Sequence, residues 1–304
     1  MKNKILIVIL VLGCFFANAQ QDAQYTQYMY NTISVNPAYA GTRGALNVVG
    51  LYRSQWVGLD GAPETKTLSI HSPFGKKVGL GLSIVNDEIG PSSETYIDID
   101  FSYTLNVGVT SKLALGIKAG ANLLSVDYNK LAGDDDVIFQ DNIDNRFMPN
   151  VGIGAYLYDD NYYLGLSSPD LLETEHYDDD EVAESYLAKE RLHAYLMGGY
   201  VFDLDYNLKF KPAFLVKAVD GAPLQVDISA NFLFNEKFTI GAAYRWSAAV
   251  SGLAGFQISD QLMIGYAYDQ ETTELRRYNS GSHEIVLRFE LFKNIGSTIS
   301  PRFF

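Results

Sequence analysis

The 304-residue chain carries 23 Lys and Arg against 36 Asp and Glu, and its net charge of −13 would repel the phosphates of nucleic acid. Its only cysteine, Cys14, lies near the start. A chain processed after that point has no thiol, which excludes disulfides, cysteine metal sites and redox chemistry. Tyr (21), Phe (17) and Gly (26) are abundant, yet after the first twenty residues no apolar run is long enough for a membrane helix. Any crossing of a bilayer must then be made by strands, whose alternating faces average out in hydropathy.

Lys2 and Lys4 precede an apolar run at 5–16, and Ala17-Asn18-Ala19 supplies the small-x-small pattern that signal peptidase cuts. This predicts an exported chain with a signal peptide at 1–19, beginning near Gln20 after cleavage. The run is shorter than the roughly twenty residues a helical anchor needs. Val11-Leu12-Gly13-Cys14 loosely resembles a lipoprotein signal that would acylate Cys14, but the better cleavage site lies downstream.

Period-two alternation is the strongest pattern beyond residue 42. At 96–103, Ile97, Ile99, Phe101 and Tyr103 alternate with Asp98, Asp100 and Ser102; at 226–234, Val226, Ile228, Ala230, Phe232 and Phe234 alternate with Asp227, Ser229 and Asn231. Such a strand suits a soluble two-sheet sandwich as well as a barrel. The pattern gives fourteen segments: 43–55, 64–72, 76–86, 94–106, 110–125, 148–158, 161–168, 191–202, 206–218, 223–234, 237–247, 249–258, 261–270 and 283–292. Most run about nine to thirteen residues, the length of a tilted membrane strand, whereas soluble strands average five or six.

Short and long connections nearly alternate. Turns are expected at Pro73-Phe74-Gly75, Val107-Gly108-Val109, Asp159-Asp160, 203–205, Asn235-Glu236 and Ser259-Asp260. Longer pieces are expected at 56–63, 87–93, 126–147, 169–190, 219–222 and 271–282, with the link at residue 248 the exception. This is the asymmetry of outer-membrane barrels, with short periplasmic turns and long outer loops. The expectation is therefore an all-β, closed antiparallel transmembrane barrel of about fourteen strands at 43–292. Residues 20–42 would form a periplasmic or lumenal segment, 293–304 a periplasmic tail, and both termini would be periplasmic. Inward Asp98, Asp100, Asp227 and Asn231, with Lys118 and Lys209, would form a polar lattice in the lumen.

Residues able to carry chemistry are sparse. His71, His176, His193 and His283 are scattered, and no HExxH, P-loop or GxSxG sequence occurs. Pairs such as Gly79 with Gly81 and Gly152 with Gly154 sit in strand contexts that close packing explains. His176 lies in a polar expected loop that would hold no fixed catalytic geometry unaided. Two acidic stretches, Gly133-Asp134-Asp135-Asp136 with Asp141 and Asp144, and Glu173-Thr174-Glu175 with Asp178-Asp179-Asp180-Glu181, offer carboxylates that calcium could crosslink, without the EF-hand order of ligands. No cofactor and no enzymatic activity are expected.

Gln24-Tyr25-Thr26-Gln27-Tyr28-Met29-Tyr30-Asn31, with Asn36-Pro37-Ala38-Tyr39-Ala40-Gly41 after it, resembles the opening signature of the PorP/SprF family of type IX secretion and gliding motility. The likeness continues through Arg53-Ser54-Gln55-Trp56, Gly61-Ala62-Pro63-Glu64-Thr65, Tyr162-Tyr163-Leu164-Gly165-Leu166-Ser167 and the ending Ser300-Pro301-Arg302-Phe303-Phe304. The resemblance implies a non-enzymatic outer-membrane protein that helps to export and attach a large surface adhesin with a C-terminal sorting domain, or links to the periplasmic machine. It singles out Gln27, Tyr28, Asn31, Asn36, Pro37, Ala38, Tyr39, Gly41, Trp56, Pro301, Arg302, Phe303 and Phe304 as partner or lumen contacts. A channel for small substrates is the alternative.

Overall fold

The computed structural model describes residues 24–131, 142–172, 192–219 and 222–291. They form one antiparallel sheet made of β1 (Leu46–Ser54), β2 (Glu64–Phe74), β3 (Val78–Ile89), β4 (Ser92–Asn106), β5 (Lys112–Val126), β6 (Ile143–Tyr158), β7 (Tyr162–Ser168), β8 (His193–Tyr200), β9 (Phe202–Asp205), β10 (Leu208–Val219), β11 (Gln225–Phe234), β12 (Phe238–Arg245), β13 (Ala249–Gln257), β14 (Leu262–Glu271) and β15 (Ser282–Leu291). The sheet closes where β15 pairs with β1, from Leu46 opposite Leu291 to Ser54 opposite His283. A single closed ring replaces the two facing sheets of the sandwich alternative.

β8 and β9 are two pieces of one strand, because both pair with β10, and the ring has fourteen staves. The break at Val201 lies opposite Lys211 and Pro212, between the pairs Ala213 with Gly199 and Phe210 with Phe202. Pro212 has no N–H for the ladder, and a proline inside a sheet favours such an irregularity.

The pleat sorts the residues by face. On β4, Ile97, Ile99, Phe101 and Tyr103 point outward, and Asp98, Asp100 and Ser102 point into the lumen; Ile99 is 61% exposed and Asp100 0%. On β15, Ile285, Leu287, Phe289 and Leu291 point outward against inward Glu284, Val286, Arg288 and Glu290. The apolar surface is on the outside and the charges are on the inside, as a sheet that meets lipid requires.

Several boundaries differ from the sequence-based expectation. The expected loop 87–93 is a tight turn at Gly90-Pro91, since β3 runs on to Ile89 and β4 starts at Ser92; Gly90 takes φ 57° there. β6 begins at Ile143 rather than 148. Pro73 and Phe74 are ladder residues opposite Gly79 and Val78, and 203–205 lies within β9, leaving Tyr206-Asn207 as the turn. Asn235 and Glu236 both adopt positive φ, 51° and 55°, which matches the type I′ hairpin that suits strand twist. The asymmetry of the two ends holds in part: 75–77, 107–111, 159–161, 206–207, 235–237 and 258–261 are short links at one end, while the other end has the long connections 55–63, 127–142, 169–192 and 272–281 beside the short links 90–91, 220–224 and 246–248.

Replacing outward Ile99 with Arg is expected to cost about 2–4 kcal/mol of insertion free energy near the midplane. Inward Asp100→Asn should leave assembly intact. The folded fraction in lipid vesicles, read from heat-modifiable gel mobility, checks this, and equal tolerance of both would sink the assignment of faces.

Candidate functional site

The lumen is filled by the chain's own residues 24–45. Tyr25, Tyr28, Met29, Tyr30, Ile33, Val35, Ala38 and Tyr39 are all buried there, although they precede the first strand. Two short 3-10 turns, Thr32–Ser34 and Pro37–Tyr39, fold the segment compactly. Asn36 caps the second, its Oδ1 accepting from Ala38 N at 3.0 Å, and Pro37 stands at the first helical position, where its missing N–H costs nothing.

The segment runs the length of the barrel. At the long-loop end, Arg245 donates to Gln24 Oε1 (3.1 Å) and Tyr25 O (3.2 Å). Glu284 accepts from Thr26 N (2.9 Å) and Gln27 N (2.7 Å) there, and Thr26 Oγ1 donates to Asp269 (2.6 Å). Midway, Ser69 donates to Asn31 Oδ1 (2.6 Å), Ser167 to Val35 O (2.7 Å), and Asn36 Nδ2 to Ala155 O (3.1 Å). At the short-turn end, Ser102 donates to Ala40 O (2.7 Å), Gly41 N donates to His71 Nδ1 (3.2 Å), and Arg43 pairs with Glu290. The first described residue, Gln24, thus lies at the long-loop mouth, whereas β15 ends at the short-turn mouth. The two termini themselves, for which a periplasmic place was expected, lie outside the described residues.

The wall is cut to receive this segment. A Cβ on Gly79, Gly116 or Gly154 would strike Ala40, the backbone at Ala38, or Asn36. Gly41 takes φ 71°, and a Cβ there would come within 2.7 Å of Gly79 Cα. Tyr39 packs edge-on against His71 and Tyr156, both at 5.4 Å between ring centroids, and Arg288 covers the Tyr30 ring at 5.5 Å. Gln27 is wholly buried, with Nε2 donating to Glu284 O at 3.3 Å.

Several lumenal charges form pairs. Arg53 lies between Asp269 (2.7 Å) and Glu284 (3.1 Å), Arg245 on Asp227 (3.0 Å), and Lys118 on Asp98 (2.9 Å). Asp100 and Asn231 are buried in the same lumen. Lys209 is not part of the lattice: it stands at the start of β10, 3.9 Å from Asp203 and 3.6 Å from Glu236, at the short-turn rim. Arg43, Arg53, Arg245, Asp269, Glu284 and Glu290 are lumenal charges that the sequence patterning did not single out, although in Glu284–Glu290 the alternation of Glu, Val, Arg and Glu with Ile, Leu and Phe carries the signal.

Trp56 lies at the long-loop mouth in a left-handed conformation, φ 45°. Its backbone N–H donates to Ser282 Oγ (3.1 Å) and its indole Nε1 to Glu271 (2.9 Å). Val57 and Ser280 bond across to Gly281 and Val57, tying the loop after β1 to the one before β15. His193 lies inside, 3.7 Å from Asp170, and His283 faces outward against Tyr266. Pro301, Arg302, Phe303, Phe304, His176 and the acidic stretches, apart from exposed Asp144 on β6, lie outside the described residues. Among the described residues no group of three or more His, Cys, Asp or Glu could hold a metal ion.

A closed sheet with an apolar exterior, a charged interior and a folded segment of its own chain within has the architecture of an outer-membrane β-barrel. The chain belongs to the family of type IX secretion system membrane proteins PorP/SprF, whose model matches residues 17–289. The fold is similar to that of the CymD monoaromatic hydrocarbon channel, with TM-score 0.51 and 11% identity over 86% of this chain and 91% of that one. The outer membrane protein Omp33 of Acinetobacter baumannii matches with TM-score 0.48 and 11% identity, over 83% of this chain and 100% of that one. No curated protein matches the chain.

Removing one partner of a buried ion pair leaves an uncompensated charge, at about 3–5 kcal/mol. Glu284→Ala, which leaves Arg53 with Asp269 alone and strips the buried Thr26 and Gln27 amides of their acceptor, is expected to lower stability by about 3 kcal/mol. Glu88→Ala, which removes the exposed partner of Lys66, should stay within about 1 kcal/mol. Denaturant unfolding from vesicles, compared at matched lipid composition, measures both.

Proposed function

We propose that the protein is a non-enzymatic docking body of the type IX secretion and gliding system, anchored in the outer membrane of a Gram-negative bacterium. It would assist the export and surface attachment of a large adhesin with a C-terminal sorting domain, or link to the periplasmic machine. The observation that carries this reading is the occupied lumen. Residues 24–45 cross it from mouth to mouth, with Tyr28, Met29, Ile33 and Ala38 each at most 3% exposed, which favours a rigid plug over an aqueous path. In this reading the short turns and the C-terminal tail, including Pro301, Arg302, Phe303 and Phe304, face the periplasm, and the signal peptide is removed before insertion.

The signature residues then divide by role. Gln27, Tyr28, Asn31, Asn36, Pro37, Ala38, Tyr39 and Gly41 hold the lumen solid. Trp56, fixed by Glu271 and Ser282, belongs to a stiffened outer mouth on which a partner could seat. The rival is a channel for small substrates, against which the filled lumen weighs.

Affinity capture of the tagged protein from detergent-solubilised outer membranes, with mass spectrometry of bound chains, tests the reading. Co-purification of a large adhesin with a sorting domain, or of a periplasmic machine component, is expected, together with little ion conductance in planar bilayers. A lone monomer that conducts would replace the docking role with the channel.

A further inference from the structure

The contacts between the wall and residues 24–45 have the character of a receptor holding a ligand. Arg245, Lys118, Ser167 and Ser102 donate to the carbonyls of Tyr25, Ser34, Val35 and Ala40 at 3.2, 3.4, 2.7 and 2.7 Å. Glu284 accepts the amides of Thr26 and Gln27, and His71 that of Gly41. Six wall side chains therefore address the main chain of the segment, and main-chain hydrogen bonds are the sequence-tolerant part of peptide recognition. Selectivity comes from shape. Gly79 and Gly116 let the backbone at Ala40 and Ala38 lie directly on the wall, the Ala38 side chain is fully buried, and Tyr39 and Tyr30 meet the His71 ring and the Arg288 guanidinium.

The segment is also chemically distinct from its container. Residues 24–42 contain no charged side chain, while Arg53, Lys118, Arg245, Asp269, Glu284 and Glu290 line the wall. It joins the wall by one described covalent link, through exposed Gly44, which has φ 75° and open space around its Cβ position.

We infer that the lumen is a binding site for a polypeptide, occupied in cis by residues 24–45 and able to hold a peptide of the same chemistry in trans. The ligand class is a compactly folded peptide rich in Tyr, Asn and Gln, uncharged except for one Arg near its C-terminal end that pairs with Glu290, and with its backbone lying against the wall glycines. The site goes beyond the docking role and does not rest on it, because its ligand is a segment of this same chain.

The test uses the full chain with a protease site inserted at Gly44, purified folded in detergent and then cut. After a high-salt wash, a fluorescent synthetic peptide of residues 24–43 is added and its anisotropy tracked, with heat-modifiable mobility reporting that the barrel remains folded. The cut segment is expected to wash out, and the peptide to be captured at one per barrel. A Ser102→Ala, Ser167→Ala barrel should release it about tenfold faster, and a peptide with Ala38→Trp should not be captured. The inference is overturned if the cut segment cannot be removed without unfolding the barrel, if the peptide is not captured, or if the Trp peptide binds equally well. Any of these would make the segment permanent core. Affinity capture of an adhesin or machine component is read separately, so the two readings can fail independently.

Discussion

Lipid offers no hydrogen-bond partners, and this governs the rest of the structure. Every backbone N–H and C=O in the hydrocarbon layer must pair with another strand, so the sheet has to close, and β15 meets β1 over nine residue pairs. Once the apolar side of each strand is committed to the outside, the inward positions become the natural place for polar groups. A ring of fourteen strands encloses more space than its own inward side chains fill. The segment at 24–45 meets that need, and its Tyr, Met and Ile side chains form the apolar centre that a soluble protein would build between its layers.

Burying charge is the cost of this arrangement, and the lumen meets it by pairing. Arg53 is shared by Asp269 and Glu284, and Glu290 receives both Arg43 and Asn47. Such pairs contribute little net stability compared with an apolar filling, yet breaking one is costly. Their value lies in specifying one arrangement. Glu284 on β15 is satisfied only when Arg53 on β1 and the amides of Thr26 and Gln27 are all in place, so the seam and the lumenal segment fix each other.

Alternation made the membrane-embedded parts of the strands legible: the inward Asp98 and Asp100 and the outward Ile99 and Phe101 were readable from residues 96–103 alone. It failed where strands extend past the lipid. The run from Asp87 to Ser93 and the start of β6 around Asp144 and Arg146 carry polar residues where the alternation of apolar residues stops, and they read as loops. The lumenal partnerships were illegible for another reason. Arg53 and Glu284 are 231 residues apart, and a single sequence says which face each residue takes but not which inward charge it meets. Lys209 illustrates the same limit, since its place in an alternating run says nothing of its depth along the barrel. The opening signature, by contrast, could be noticed as a pattern, but its capped 3-10 turn at Asn36-Pro37 acquires meaning only against Gly116 and Gly154.

The lumenal segment also joins the two mouths mechanically. Its upper anchor, Glu284, and its lower anchor, Glu290, are on the same strand, and that strand lies beside the closing seam. A pull on the Gln24 end would load both carboxylates along the axis of β15, together with the ladder between β15 and β1. Bonds loaded in shear along a strand share the force and yield together, whereas bonds peeled from one end yield in turn. Tension entering at Gln24 would thus be shared among several bonds along β15 and not fall on one.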